Sequence, residues 1–179
     1  KRERDAMKVV LISMPDVAAV IMHEAAFHMP NLGIASLGAN VDEGHEVLLI
    51  DLIRKRRKVR SYLERTLLKL RPDVVGLSSM TWQFGTCLKL ARLIRKWLPQ
   101  ARIAIGGYDS TLMYEEIFRQ PEAGPIDFLI SGEGEECFRR LVNALAGQDN
   151  LAQIPSLSYR QADGTFVHNP RGELLDLAR

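Results

Sequence analysis

The chain has 179 residues, 46% of them hydrophobic, with 24 Lys and Arg against 22 Asp and Glu for a formal charge of +2. That composition supports one globular core and argues against disorder, and the charge is too small to indicate a nucleic-acid or membrane partner. No apolar run nears the roughly 20 residues of a membrane span, and Lys1-Arg2-Glu3-Arg4-Asp5 is not joined to the apolar segment of a secretory signal; the expected location is cytoplasmic.

Hydrophobic periodicity then gives a regular alternation. Residues 8–14 form a continuous apolar run suited to a buried parallel strand, and after a long connection residues 32–43 space their apolar positions as a helix does. Gly44 marks the end of that helix. Residues 46–51 read as a second strand, 59–70 as a second helix, and Arg71-Pro72-Asp73 as the break before a third strand starting at Val74. A third helix over 87–98 places Cys87, Ala91, Ile94 and Leu98 on one face, and Pro99 stops it. A fourth strand at 102–105, a short helix around 113–118, a fifth strand at 127–130 and a last helix over 135–146 complete the pattern. Parallel strands with right-handed helical crossovers predict a flavodoxin-like (Rossmann-like), doubly wound α/β sheet of five strands in the order 2-1-3-4-5.

We assign that domain to residues 6–150. In 151–179, the runs 157–160 and 165–168 flank Ala162-Asp163-Gly164 as a β-hairpin appendage with a tight Asp-Gly turn. Asn169-Pro170-Arg171-Gly172 and the tail then read as a linker. Cys87 and Cys137 fall in separate predicted helices, as buried reduced thiols rather than a disulfide or a metal pair.

Three of the strand runs end in loops of small residues: Gly76-Leu77-Ser78-Ser79-Met80-Thr81, Gly106-Gly107-Tyr108 and Ser131-Gly132-Glu133-Gly134-Glu135. In an open α/β sheet, ligands bind at the carboxyl ends of strands, where small residues let a ligand approach the backbone. Ser78 and Ser79 offer hydroxyls to such a ligand, and the Gly132 to Glu135 segment opens a helix whose free amides suit a phosphate or ribose. Each loop also has a plainer reading: small residues turn a strand tightly into its helix, and Glu133 and Glu135 complement the helix dipole.

Taken in order, these segments resemble the amino-terminal cobalamin-binding domain that precedes a radical S-adenosylmethionine catalytic domain. The resemblance runs from Val9 through the hairpin. It is carried by Pro30-Asn31-Leu32-Gly33-Ile34-Ala35-Ser36-Leu37-Gly38, by Asp42-Glu43-Gly44-His45-Glu46-Val47, by the three loops, and most distinctively by Ser131-Gly132-Glu133-Gly134-Glu135 followed by Phe138. It implies cobalamin as cofactor, with Pro15, Asp16, Asn31, Leu32, Gly33, Ser78, Ser79, Met80, Thr81, Trp82, Gly106, Gly107, Tyr108 and Gly132 to Glu135 around it. It implies no catalytic or metal-ligating residue in this chain. Trp82 and Met80 either cover the lower face of the corrin or pack under the third helix.

The loop after the first strand departs from part of that wider family, whose axial histidine follows an aspartate by two residues. Here Asp16 is followed by Val17 and Ala18, so the resemblance implies cobalamin held without an axial histidine. His23 and His28, farther along, do not match a zinc-protease spacing. Family members typically perform methyl transfer or a related radical reaction, with S-adenosylmethionine and a [4Fe-4S] cluster bound in a neighbouring barrel through three cysteines. With two cysteines, this chain is expected to be the non-catalytic, cofactor-binding portion of such an enzyme, cut in the linker to a missing barrel, or else a free-standing carrier. A basic run at 54–60 lacks interleaved aromatics and reads as a solvated loop and helix start. Two other classes stay open: a flavodoxin-like module for a flavin or nucleotide, although neither Gly-rich phosphate motif is present, and an interaction domain without cofactor.

Overall fold

A computed structural model describes residues 6–16, 31–55, 57–147 and 149–172. The apolar runs become β1 (Lys8–Ser13), β2 (Glu46–Asp51), β3 (Val74–Ser79), β4 (Arg102–Gly107) and β5 (Phe128–Ile130), joined in parallel in the order β2-β1-β3-β4-β5. Between them lie α1 (Leu32–Asn40), α2 (Val59–Leu70), α3 (Phe84–Trp97), α4 (Tyr108–Leu112) and α5 (Tyr114–Arg119), and α6 (Glu135–Leu145) follows β5. The predicted topology therefore holds.

Two expectations change. The single short helix around Met113 is two, because the chain turns into α4 directly from Gly107 and restarts as α5 after Met113. The hairpin, β6 (Leu157–Arg160) and β7 (Phe166–His168), is no appendage: β6 pairs antiparallel with β5 and extends the sheet to seven strands. Its turn is a three-residue one, closed by Gln161 N–H donating to the Thr165 carbonyl, with Gly164 at φ +86° and the Asp163 side chain accepting from Thr165 N.

Helices on both faces cover two separate cores. Residues of β1, β3 and β4 alternate between them, so Val10, Ile12, Val75, Leu77, Ile103 and Ile105 face α2, α3 and α5. Val9, Leu11, Val74, Ala104 and Phe128 face α1 and α6. Cys87 belongs to the first core and Cys137 to the second, both free thiols. Burial is the main cause that pushes each up to about 12.

The amino edge of the sheet is closed by polar staples. Arg95, from the end of α3, donates to the Pro99, Ala101 and Pro125 carbonyls and pairs with Asp127, whose carboxylate also accepts from Ile103 N. At the other side His45 accepts from Met7 N through Nδ1, which leaves the proton on Nε2, 3.0 Å from the Asn143 amide oxygen. Asn143 in turn donates to Asp42, and that bond, ahead of the Arg139 charge, lowers the Asp42 carboxyl against the opposing cost of burial. Asp42 and His45, two of the residues that carry the family resemblance, thus join β1 and β2 to α6 far from any strand-end loop. Among the described residues, no helix is long and apolar enough to cross a membrane.

Candidate functional site

Small residues sit on one side of the two central strands. Gly76 and Ser78 of β3 pair with Ala104 and Gly106 of β4, and alternation sends all four toward α1 and α6. No long side chain rises from the sheet there, so the two helices roof a cavity of about 270 Å³ instead of packing onto the strands. Leu11, Ile34, Leu37, Ile130 and Phe138 make its apolar walls, and Gly132 to Glu135 its mouth. The cavity opens at the carboxyl ends of the strands.

Two glycines are required by close approach. Gly107 has φ +120°, and a Cβ there would overlap the Ser79 carbonyl oxygen. A Cβ on Gly76 would lie 2.5 Å from Leu11 Cδ2 and 3.4 Å from the Phe138 ring. The small-residue loops thus serve the slot and the backbone together: Gly107 lets β4 turn into α4, while Gly106, whose Cβ would meet nothing closer than 4.0 Å, keeps the slot wide.

The expected site residues divide into four groups. Gly33, Ser78, Gly106, Gly107 and Gly132 to Glu135 line the cavity. Asn31 and Ser79 point to structural tasks: Asn31 caps α1 by accepting from Ile34 N at 3.1 Å, and Ser79 faces the opposite side, 4% exposed and bonded to the Cys87 thiol. Leu32, Met80, Trp82 and Tyr108 are exposed apolar residues at the carboxyl ends of the strands, as are Leu112 and Met113 of the segment after β4, and Trp82 is 54% exposed. Thr81 is exposed beside them, and Pro15 and Asp16 are half-buried at the end of β1. Glu135 is held by the Ser36 hydroxyl at 2.7 Å, which ties α6 to α1 across the slot. Val17, Ala18, His23, His28 and the tail beyond Gly172 lie outside the described residues. In the basic run, Lys55, Arg57, Lys58 and Arg60 are exposed.

The sequence reading put Gly76 in a small-residue loop but not among the site residues, and it overlooked Ala104 beside it in the cavity floor and Gln83 after β3. The period-two pattern held the first two, since Gly76 stands two residues before Ser78 and Ala104 two before Gly106. Gln83 ties two loops together: its amide oxygen accepts from Met80 N, and its amide nitrogen donates to the Asp16 carbonyl at 2.7 Å. Nothing in the local sequence marks that role.

An apolar cavity with a glycine floor thus opens at the carboxyl ends of the strands, near exposed apolar side chains. The model of the B12 binding domain family matches residues 18–142. Among curated proteins, the chain is 30% identical over 165 residues to the uncharacterized methyltransferase PH0819 of Pyrococcus horikoshii, covering 92% of this chain and 35% of that protein. It is 27% identical over 172 residues to the anaerobic magnesium-protoporphyrin IX monomethyl ester cyclase of Synechocystis, covering 94% and 34%. The chain thus spans about a third of the length of these relatives. Among solved structures, the fold matches the radical S-adenosylmethionine methyltransferase TsrM from Kitasatospora setae, determined with cobalamin and a [4Fe-4S] cluster, at a TM-score of 0.75 and 21% identity over 96% of this chain and 30% of that one.

Proposed function

Because the chain belongs to the B12-binding domain family, we propose that the slot between α1 and α6 takes the nucleotide tail of cobalamin and that the exposed apolar side chains near it support the corrin ring. The observation that carries this is the row Gly76, Ser78, Ala104 and Gly106, which hollows one face of the sheet under two helices. A cavity of about 270 Å³ lies just below the roughly 300 Å³ at which drug-sized pockets begin. It suits part of a corrinoid, with the ring outside.

The chain's own residues then bind, orient and exclude water. Leu11, Ile34, Leu37 and Phe138 desolvate an aromatic tail, Ser78 offers a hydroxyl within the slot, and the Gly132 to Glu135 turn brings backbone to its mouth. Trp82 and Met80, both exposed, would keep water from the lower ring face. No histidine follows Asp16 at the axial spacing, and we read the cofactor as held without one. The chemistry supplied by bound cobalamin is methyl transfer or a related radical reaction, for which the protein contributes orientation and environment.

In this reading residues 6–150 are the cofactor domain, and 151–179 carry the hairpin and the path toward a radical S-adenosylmethionine barrel in the full-length protein. That barrel would hold S-adenosylmethionine and the [4Fe-4S] cluster, since a three-cysteine cluster site needs more than Cys87 and Cys137, which lie on opposite faces of the sheet. The length of the relatives supports it, and two buried free thiols agree with a cytoplasmic setting. Titration of the 179-residue chain with hydroxocobalamin should give a saturable spectral shift. Gly106→Val, which fills the slot at a position with open space, should weaken it more than about tenfold, or ~1.4 kcal/mol, while leaving the thermal midpoint nearly unchanged. Absence of any saturable shift under both oxidising and reducing conditions would overturn the proposal.

A further inference from the structure

A second cavity, of about 230 Å³, lies on the other side of β5, between the hairpin and the α4–α5 pair. Its lining differs in kind from that of the slot. Ser131, Ser156, Ser158, Tyr114, His168 and Arg171 surround it, and no carboxylate is among its described lining residues.

The hydrogen bonds already made show what each group has left to offer. Ser131 spends its hydroxyl proton on the Ser110 carbonyl at 2.7 Å. The Ser156 hydroxyl accepts from Gly172 N at 3.1 Å and keeps its own proton to donate. Ser158 and His168 stand opposite each other in the β6–β7 register, so their side chains share one face of the sheet. The His168 Nδ1 is buried with no partner, its ring 4.4 Å from that of Tyr114. Burial lowers the imidazole below the ordinary histidine range, against the opposing pull of Glu115, so the neutral ring can still donate if its proton is on Nδ1. Arg171 uses one guanidinium nitrogen on the Thr111 carbonyl at 3.0 Å and has further N–H groups to give.

The backbone around the cavity is held with unusual care. Ser156 is a non-glycine residue at φ +63°, a conformation that costs free energy unless its surroundings impose it. Here they do: its N–H donates to the Pro170 carbonyl, and its own carbonyl accepts from Ser131 N. Asn169 fixes the next turn by donating to the carbonyls of both Leu151 and Ile154. The result is a preformed, donor-rich cavity with one permanent positive charge.

We propose that this cavity is a binding site for an oxyanion group, a carboxylate or a phosphate, held by Arg171 with the hydroxyls of Ser156 and Ser158 and the ring nitrogen of His168. Each of these groups can donate to an oxyanion, which meets no like charge among them. The site is distinct from the slot, though one wall is shared: Ser131 lines the cavity, and the next residue, Gly132, lines the slot and donates to the Thr111 hydroxyl.

The test is a pair of NMR titrations of the 179-residue chain, one with inorganic phosphate and one with acetate, at constant ionic strength held by chloride. The His168 ring nitrogens are read, assigned by their loss in His168→Gln. A saturable shift of the His168 signals is expected, weakened about tenfold or more in Arg171→Met, a substitution at an exposed residue that leaves the core intact. Response to phosphate alone identifies a phosphate site, and response to both identifies a general carboxylate and phosphate site. No saturable shift with either anion, or a shift in Arg171→Met and in Ser158→Ala as strong as in the unsubstituted chain, overturns the proposal. The readout involves no cobalamin, so its failure is separable from failure of the cobalamin reading.

Discussion

The two faces of the sheet are made from alternate residues of the same strands, yet one is filled and the other hollow. Toward α2, α3 and α5, Ile12, Leu77, Ile103, Ile105 and Leu129 are each at most 2% exposed and belong to one continuous core. Toward α1 and α6, Gly76, Ser78, Ala104 and Gly106 interrupt the same strands and leave a cavity. Because strand side chains alternate strictly, one face can be emptied residue by residue while the other keeps its packing. Stability can therefore rest mainly on the filled face and the site on the hollow one.

The largest effect should come from breaking the filled face. Ile103 is fully buried at the centre of that core, and Ile103→Ala removes its packing and leaves a void that its neighbours only partly close. A loss of about 2–5 kcal/mol is expected in urea unfolding. The slot should survive in the molecules that remain folded, so hydroxocobalamin affinity under native conditions should change less than twofold. A comparable loss of affinity would mean that the faces are not separable.

Adding one methyl group to the hollow face should cost less and act on the site. In Gly76→Ala the new Cβ would stand 2.5 Å from Leu11 Cδ2, which is the end of a side chain bordering the cavity. Leu11 can turn into that space, so the expected loss is about 1 kcal/mol, at the low end of overpacking costs. The slot shrinks by the same movement, and cobalamin affinity should fall while unfolding shifts by no more than that amount. A destabilisation as large as that of Ile103→Ala would show that this face has no room to yield.

The sequence was legible where its signals were local and periodic. The strand order, the helix over 59–70 and the three strand-end loops are visible because apolar runs and Gly or Pro breaks need no knowledge of distant partners. The two faces of β3 and β4 were equally present in the spacing of Gly76, Ser78, Ala104 and Gly106, although loop composition drew attention to Ser79, which points the other way. What a sequence does not display is pairing across distance. The bond from Gln83 to the Asp16 carbonyl, the addition of β6 beside β5, and the His45–Asn143 staple each join segments many residues apart. Asn31 shows a further ambiguity, since an asparagine before a helix is equally well placed to touch a ligand or to cap the helix, and here it caps.

Each face also buries one thiol. Burial pushes Cys87, on the filled face, up to about 12 from an ordinary 9.0, with the Ser79 hydrogen bond opposing and Asp109 adding to it. Above pH 9 the unfolded chain releases a proton that the folded chain retains. Stability is therefore complete below pH 9, falls as pH rises, and levels off once the folded thiol also ionises near 12. Between pH 9 and pH 10 this thiol should remove about 1 kcal/mol, measurable as a lower urea midpoint. Cys87→Ala should flatten that part of the pH dependence. Cys137, on α6 in the hollow-face core and also pushed up to about 12, should contribute a similar slope that Cys137→Ala removes. If the cavity admits water to its surroundings, the Cys137 slope will be the shallower of the two, because a thiol near water ionises closer to its unfolded value. Equal slopes in the two variants would mean that the core beneath the slot is as dry as the filled one.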